Sequence, residues 1–203
     1  MSEHVVIIGG GAIGSSIARY LTRPEAQAAR PCRVTVLERD FSYARASSAL
    51  SASSIRQQFS TAINMAISAY GIGVLRDAGR ELAVPGEPPP CAGLHEGGYL
   101  YLATPAGEGV LRDNHAVQRA AGADVALLTP GELRARFPWL CTDGLALGSL
   151  GLSGEGWFDG YSLLQAFRAQ ARAQGACYVA AEAVGVEGEN GPSRMSIKRI
   201  KLS

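Results

Sequence analysis

The residues most able to do chemistry lie at the start of the chain, in Gly9-Gly10-Gly11-Ala12-Ile13-Gly14. Glycines at 9, 11 and 14 fit G-x-G-x-x-G, and the run follows an apolar strand-like segment and opens a helical pattern, as a phosphate cradle requires. Gly9 permits a tight turn, Gly11 lets the backbone approach a pyrophosphate with no Cβ in the way, and Gly14 lets the helix pack closely on the strand. The helix N-terminus, beginning at Ala12 and Ile13, then offers free N–H groups and the positive end of its dipole. Glu38, at the spacing expected once a Pro-bounded insertion is allowed for, can accept both hydroxyls of a ribose. An acid there repels a 2′-phosphate. NAD or the adenosine half of FAD is therefore favoured over NADP.

Other chemistry is sparse. Cys32, Cys91, Cys141 and Cys177 lie far apart, without a C-x-x-C pair or a neighbouring His, so no metal site is expected and the thiols read as reduced. His4 precedes the first strand, and His95 and His115 lack nearby partners in sequence, so none is a candidate general base. Trp139 and Trp157 read as core or packing residues. Arg56 is the side chain left to weigh. Its guanidinium could pair with a substrate carboxylate or with phosphates, against the alternative of an ordinary surface arginine.

The elements that must position these groups follow from the pattern. Val5–Ile8 is a continuous β-branched run, expected to be a strand buried on both faces of a parallel sheet. Ile13, Ile17 and Leu21 recur at helical spacing until Pro24, and Val34–Leu37 makes the next strand, ending at Glu38. The Ser- and Ala-rich stretch 42–60 reads as a long loop, 62–82 as one helix, and 85–90 as a Pro-rich connection. Residues 99–103 form a strand of a second sheet, 111–121 a helix and 125–128 a strand. Thr129-Pro130-Gly131-Glu132 has the N-cap, N1 proline and N3 acid of a capping box before a short helix through Phe137. Glycine-rich 144–156 suits strands or tight turns, 162–174 is a helix stopped by Gly175, and 178–186 is a strand.

The composition is globular, with 47% hydrophobic residues, 18% charged residues and 25 glycines. A formal charge of +1 gives no field to draw nucleic acid or anionic lipid, which leaves a small-molecule ligand. No apolar run reaches membrane-spanning length and no leader pattern precedes Val5, so a soluble, cytoplasmic protein is expected. The end of the chain differs in character. Both lysines, Lys198 and Lys201, fall in the last six of 203 positions, whereas every earlier basic residue is arginine. Pro192–Ser203 therefore reads either as a truncated or frameshifted end or as a solvated basic tail.

Taken together, Ile7–Gly14, Val36-Leu37-Glu38-Arg39-Asp40, Ser47-Ser48-Ala49-Leu50-Ser51 and Ile55-Arg56-Gln57-Gln58-Phe59-Ser60 resemble successive motifs of the D-amino-acid oxidase family, which includes sarcosine and glycine oxidases. The Arg-Gln-Gln-Phe-Ser string, Phe137-Pro138-Trp139-Leu140 and Gly156-Trp157-Phe158-Asp159 are most similar to its branch of FAD-dependent oxidoreductase-domain proteins. The resemblance covers about residues 4–188. It implies an α/β fold, a Rossmann-like FAD-binding domain with a parallel sheet plus an incomplete antiparallel-sheet substrate domain. The implied division is 1–90 for the first part of the FAD-binding domain, 91–155 for the partial substrate domain, 156–188 for the return to the FAD-binding domain, and 189–203 for the tail.

The resemblance also implies FAD as cofactor and oxidation of the C–N bond of an amino acid or N-methylated amine. Gly9, Gly11, Ala12, Ile13 and Gly14 would hold the pyrophosphate, and Glu38 the adenosine ribose, with Arg39 beside it. Ser47, Ser48 and Ser51 would line the pyrophosphate and flavin side, and Val184 would meet the adenine through its backbone. Most relatives carry two glycines where this chain has Ser53 and Ser54. Relatives are nearly twice as long, so the chain corresponds to an N-terminal portion. The alternative is a catalytically silent FAD-binding relative acting as an assembly or binding partner, and an oligomer or partner protein stays open.

Overall fold

The computed structural model describes residues 3–187 and the backbone of 194–199. In chain order the elements are β1 (Glu3–Ile8), α1 (Ala12–Thr22), α2 (Pro24–Ala29), β2 (Cys32–Glu38), β3 (Ser54–Ile55), α3 (Ala62–Arg76) and α4 (Ala78–Glu81). They continue with β4 (Leu100–Ala103), α5 (Glu108–Ala120), β5 (Val125–Leu128), α6 (Pro130–Arg136), β6 (Leu147–Gly151), β7 (Gly156–Trp157), α7 (Gly160–Ala173), β8 (Cys177–Glu187) and β9 (Arg194–Arg199). Two compact units emerge, one from 1–51, 78–92 and 159–203, the other from 52–77 and 93–158.

The first unit is α/β. Its sheet runs β1-β2-β8-β9, with β1, β2 and β8 parallel and β9 antiparallel to β8. Val5 stands opposite Val34 and Ile8 opposite Leu37, so the glycine turn after β1 and Glu38 at the end of β2 reach the same sheet edge. Beneath them Ala18, Val34, Val36, Ala171 and Ala176 form the core, with Ile7, Leu21 and Tyr178 packed against it. Ala18 on α1 and Ala171 on α7 are fully buried, and their small side chains suit the close approach of the two helices. β1 is half buried rather than covered on both faces, and Ile8 is 59% exposed, because among the described residues it has a strand neighbour on one side only.

Pro24, where the helical pattern of α1 stops, opens a further helix. It takes the N1 position of α2, where its missing N–H has no partner to lose, and the Gln27 side chain ties that helix to the Leu21 carbonyl and the Cys32 amide. The buried Arg19 guanidinium reaches Gln170 on α7 and both the carbonyl and the carboxylate of Glu81.

The second unit holds a three-stranded antiparallel sheet, β4-β6-β5, and the short antiparallel pair β3-β7. The capping box forms as expected, with Thr129 accepting from the Glu132 amide and the Glu132 carboxylate accepting from the Thr129 amide. The expected single helix over 62–82 is two, α3 and α4, interrupted at Asp77 where the units divide. Residues 52–77, given to the nucleotide domain on sequence, pack with 93–158 through β3 against β7 and α3 against α5. Of the tail over 189–203, residues 194–199 form β9, and the rest lies outside the described residues.

One buried carboxylate organises this unit. Glu155 is 0% exposed and accepts from the amides of Gln57 (2.6 Å), Gln58 (3.0 Å) and Tyr99 (3.1 Å), and from the Gln58 side chain (2.9 Å). Replacing Glu155 by Gln turns a donor toward these donors and leaves N–H groups unmet, so E155Q should cost the second unit about 3 kcal/mol, read as a fall in its urea midpoint. A second carboxylate gives a pH signature. Glu96 is held down to about 2 by the Arg76 guanidinium first and the Gly154 amide second. Its folded value lies below the ordinary one of about 4.3, so its stabilisation is complete above that value and fades as pH falls toward 2. Stability measured by denaturant across that window should slope less for E96Q than for the parent.

Candidate functional site

The chain turns after β1 through Gly9, whose φ of +94° belongs to the region glycine enters freely. The Gly9 amide donates to the Leu37 carbonyl at 2.8 Å, locking the turn to β2. α1 then packs so tightly that a Cβ on Gly14 would stand 1.9 Å from the Gly9 carbonyl oxygen. Gly11 is the N-cap, with φ −63° and ψ −171°, no side-chain cap and nothing within 4 Å of where a Cβ would sit. The first-turn amides of α1 thus face open space with no acidic residue among them.

That space is a cavity of about 700 Å³ at the carboxyl ends of β1 and β2, the place where open α/β sheets bind ligands. Gly9, Gly11, Glu38, Arg39 and Ser47 all line it. So do Tyr43, Arg45 and Ala181–Ala183. Ala12, Ile13 and Gly14 are not part of the lining. Ile13 is 80% exposed, and Gly14 serves packing.

Glu38 bridges the two loops, its carboxylate accepting from the Gly10 amide and from the Asp40 amide, each at 2.8 Å. Two amides leave a carboxylate with lone pairs to spare, enough for ribose hydroxyls. Arg39 lies 3.9 Å from Glu182 of β8. Asp40 is held below the usual carboxylate range by the Ser42 hydroxyl and amide, so it is ionised at neutral pH.

The loop expected over 42–60 is a series of tight turns, with Tyr43 amide to Asp40 carbonyl and Ala46 amide to Tyr43 carbonyl, before β3 begins. Tyr43 is the side chain that sequence reasoning missed. It is 2% exposed, takes a φ of +56°, and its hydroxyl finds no partner. Burial pushes it up to about 12, so it stays a neutral donor. Its positive φ is unusual for a bulky residue and has no local sequence signature.

Ser48 Oγ is likewise buried and unpartnered, while Ser51 ends the segment on the surface. Val184 is 60% exposed and does not line the cavity; its neighbours Glu182 and Ala183 do, just before the register shift with β9. Arg56 lies in the second unit, exposed, its guanidinium 4.7 Å from the Phe59 ring centroid.

Each histidine has a neighbour in the structure, and both tryptophans are largely exposed. The His95 ring lies 4.1 Å from that of Trp157, His115 meets the Val125 carbonyl at 3.2 Å, and His4 meets Thr35 and Arg33. Trp139 is 78% exposed and Trp157 52%, so neither is core. The four cysteines are free, and no metal-holding cluster exists among the described residues.

A strand, a glycine cradle, an open helix N-terminus, an acid at the ribose position and two buried donors without acceptors fit the adenosine and pyrophosphate of a dinucleotide. The profile of the family described as FAD dependent oxidoreductase matches residues 4–198. The chain belongs to this family. Its cofactor is FAD. It is 43% identical over 178 residues to FAD-dependent oxidoreductase domain-containing protein 1 of Bos taurus, covering 88% of this chain and 36% of that protein.

Among solved structures it is similar to L-proline dehydrogenase from P. horikoshii, with a TM-score of 0.77 and 25% identity, over 97% of this chain and 49% of that one. Glycine oxidase from Geobacillus kaustophilus shares the fold, with a TM-score of 0.71 at 23% identity, over 97% and 52%. The chain thus spans about a third of the length of the curated relatives it matches and about half of these solved chains.

Gly11 and Gly14 separate the cradle's two demands. G11A should leave thermal unfolding unchanged, since its backbone suits alanine and its Cβ meets nothing, yet weaken FAD about tenfold or more by crowding the phosphates. G14A should lower stability by about 3 kcal/mol, because backbone and not a flexible side chain blocks its Cβ. Calorimetric unfolding and FAD titration of both variants read the difference.

Proposed function

We propose that this chain is the cofactor-holding portion of an oxidoreductase that oxidises the C–N bond of an amino acid or N-methylated amine. The observation that carries the reading is the cavity over the Gly9–Gly14 cradle, with Glu38 and Ser47 on its wall and the Tyr43 and Ser48 hydroxyls lacking acceptors. It is supported by the likeness to proteins described as L-proline dehydrogenase and glycine oxidase.

FAD supplies the two-electron acceptor that C–N oxidation needs. In this reading the amides of α1 and the backbone at Gly11 hold the pyrophosphate, Glu38 accepts from the ribose, and Ala181–Ala183 with Arg39 flank the adenine end. Ser47, Ser48 and Ser51 follow the chain toward the flavin side. Ala12 and Ile13 contribute their amides. Arg56, exposed and stacked on Phe59, is the candidate partner for a substrate carboxylate.

A second reading is a catalytically silent FAD-binding chain that works by association with another protein. The observation favouring it is the apolar stripe of Ile13 and Ile17, one turn apart on α1, exposed at 80% and 45%. No described helix is long and apolar enough to cross a membrane.

The test is to purify the chain, record its flavin spectrum, and follow dye reduction with glycine, L-proline and sarcosine. The proposal expects yellow protein and amine-dependent reduction. Yellow protein that reduces nothing favours the second reading, and folded protein that takes up no FAD overturns both.

A further inference from the structure

Among the described residues five buried side-chain polar atoms lack a hydrogen-bond partner, and two of them are neighbours: Tyr43 Oη and Arg168 Nε. Arg168, on α7, has its guanidinium 4.7 Å from the ring centroid of Phe41 and 5.7 Å from those of Tyr43 and Tyr178. Its one hydrogen bond is long, Nη1 to Gln165 Oε1 at 3.4 Å, and no carboxylate among the described residues lies within ion-pair distance. Aromatic faces attract a cation but do not neutralise it. A partly buried guanidinium without an anion is a charge with its counter-ion still to come.

The cage around it is tied to the phosphate cradle. The Tyr178 hydroxyl donates to Ser15 Oγ at 3.0 Å, and Ser15 Oγ donates to the Gly10 carbonyl at 2.7 Å. The Tyr43 hydroxyl stands 3.4 Å from where a Cβ on Gly10 would be. Two of the three rings that hold Arg168 therefore also abut the glycine loop, and one of them, Tyr43, lines the cavity. Arg39 and Arg45, which also line the cavity, lie at exposed loop positions.

We propose that Arg168 is a positioning residue for the cofactor's pyrophosphate: a fixed counter-charge, held among Phe41, Tyr43 and Tyr178, that acts on the phosphates through the field and through the placement of the Tyr43 hydroxyl. The inference rests on the reading of the cavity as the FAD site. A charge acting this way discriminates between ligands with and without phosphates. A merely structural arginine does not.

The experiment titrates the purified chain with FAD and, separately, with adenosine, in the parent, Arg168→Met and Arg168→Lys. Arg168→Met keeps the stem and removes the charge, so FAD should bind about tenfold more weakly and adenosine within about twofold of the parent, since a nearby charge in a screened site contributes about 1 to 2 kcal/mol. Arg168→Lys should recover most of the FAD affinity, and the affinity of the parent for FAD should fall more steeply with salt than that of Arg168→Met.

Equal losses for both ligands, or no loss for either, overturn the proposal while leaving the parent's FAD binding intact. If Arg168→Met does not fold, Arg168→Lys decides, because a retained preference for FAD over adenosine supports the counter-charge and a lost one overturns it. A parent chain that binds neither ligand overturns the cavity reading and the inference together.

Discussion

The contact between Gly14 and the Gly9 carbonyl is the constraint on which the cradle depends. Because a Cβ at Gly14 would stand 1.9 Å from that oxygen, the helix can lie against the turn only when residue 14 has no side chain. That approach sets the direction of α1, and the direction of α1 sets where its unpaired first-turn amides point. The turn itself is held by Gly9 donating to Leu37, which is possible because β1 and β2 run parallel with Ile8 opposite Leu37. A ligand-binding geometry is thus produced by sheet register and one missing methyl group, before any polar side chain takes part.

The polar side chains that do take part solve a common problem in both units. Loops carry backbone N–H groups that sheets do not satisfy, and a carboxylate with several acceptor positions can gather them. Glu38 draws the Gly10 and Asp40 amides together and still faces the cavity. Glu155 draws in those of Gln57, Gln58 and Tyr99 and is sealed from solvent, with Gly151 leaving room for its carboxyl group. The first arrangement is open to a ligand, and the second is a closed structural knot. The Arg-Gln-Gln-Phe-Ser string is for this reason largely a packing motif in its middle, with Gln57 and Gln58 buried and Arg56 turned outward on Phe59.

What the sequence disclosed and what it withheld divide along the same physical line. The strand, the glycine turn, α1 and Glu38 lie within forty residues, and each step is read from local spacing, as is the capping box at Thr129. The capping and N1 rules also explain α2, where Pro24 starts a helix that hydropathy alone reads as ended. The break at Asp77, the exposure of Trp139 and Trp157, and the assignment of 52–77 to the second unit are set by partners far along the chain, such as β7 for β3. Tyr43 and Arg168 were illegible for the strongest form of that reason. A left-handed tyrosine has no motif, and an arginine on an amphipathic helix looks like a solvated charge until the rings of Phe41, Tyr43 and Tyr178 are placed around it.

Backbone amides and a helix dipole recognise phosphate generically, so the cradle by itself does not choose among dinucleotides. Choice comes from what surrounds it. Glu38, Tyr43 and residues 181–183 line the cavity beside it, and Tyr43 and Ser48 hold buried hydroxyls without hydrogen-bond partners. These groups all lie in the first unit. In the reading proposed above, binding of the adenosine and pyrophosphate end is a property of the Gly9–Gly14 turn, Glu38 and α1, and it stands independently of whether the flavin end reacts.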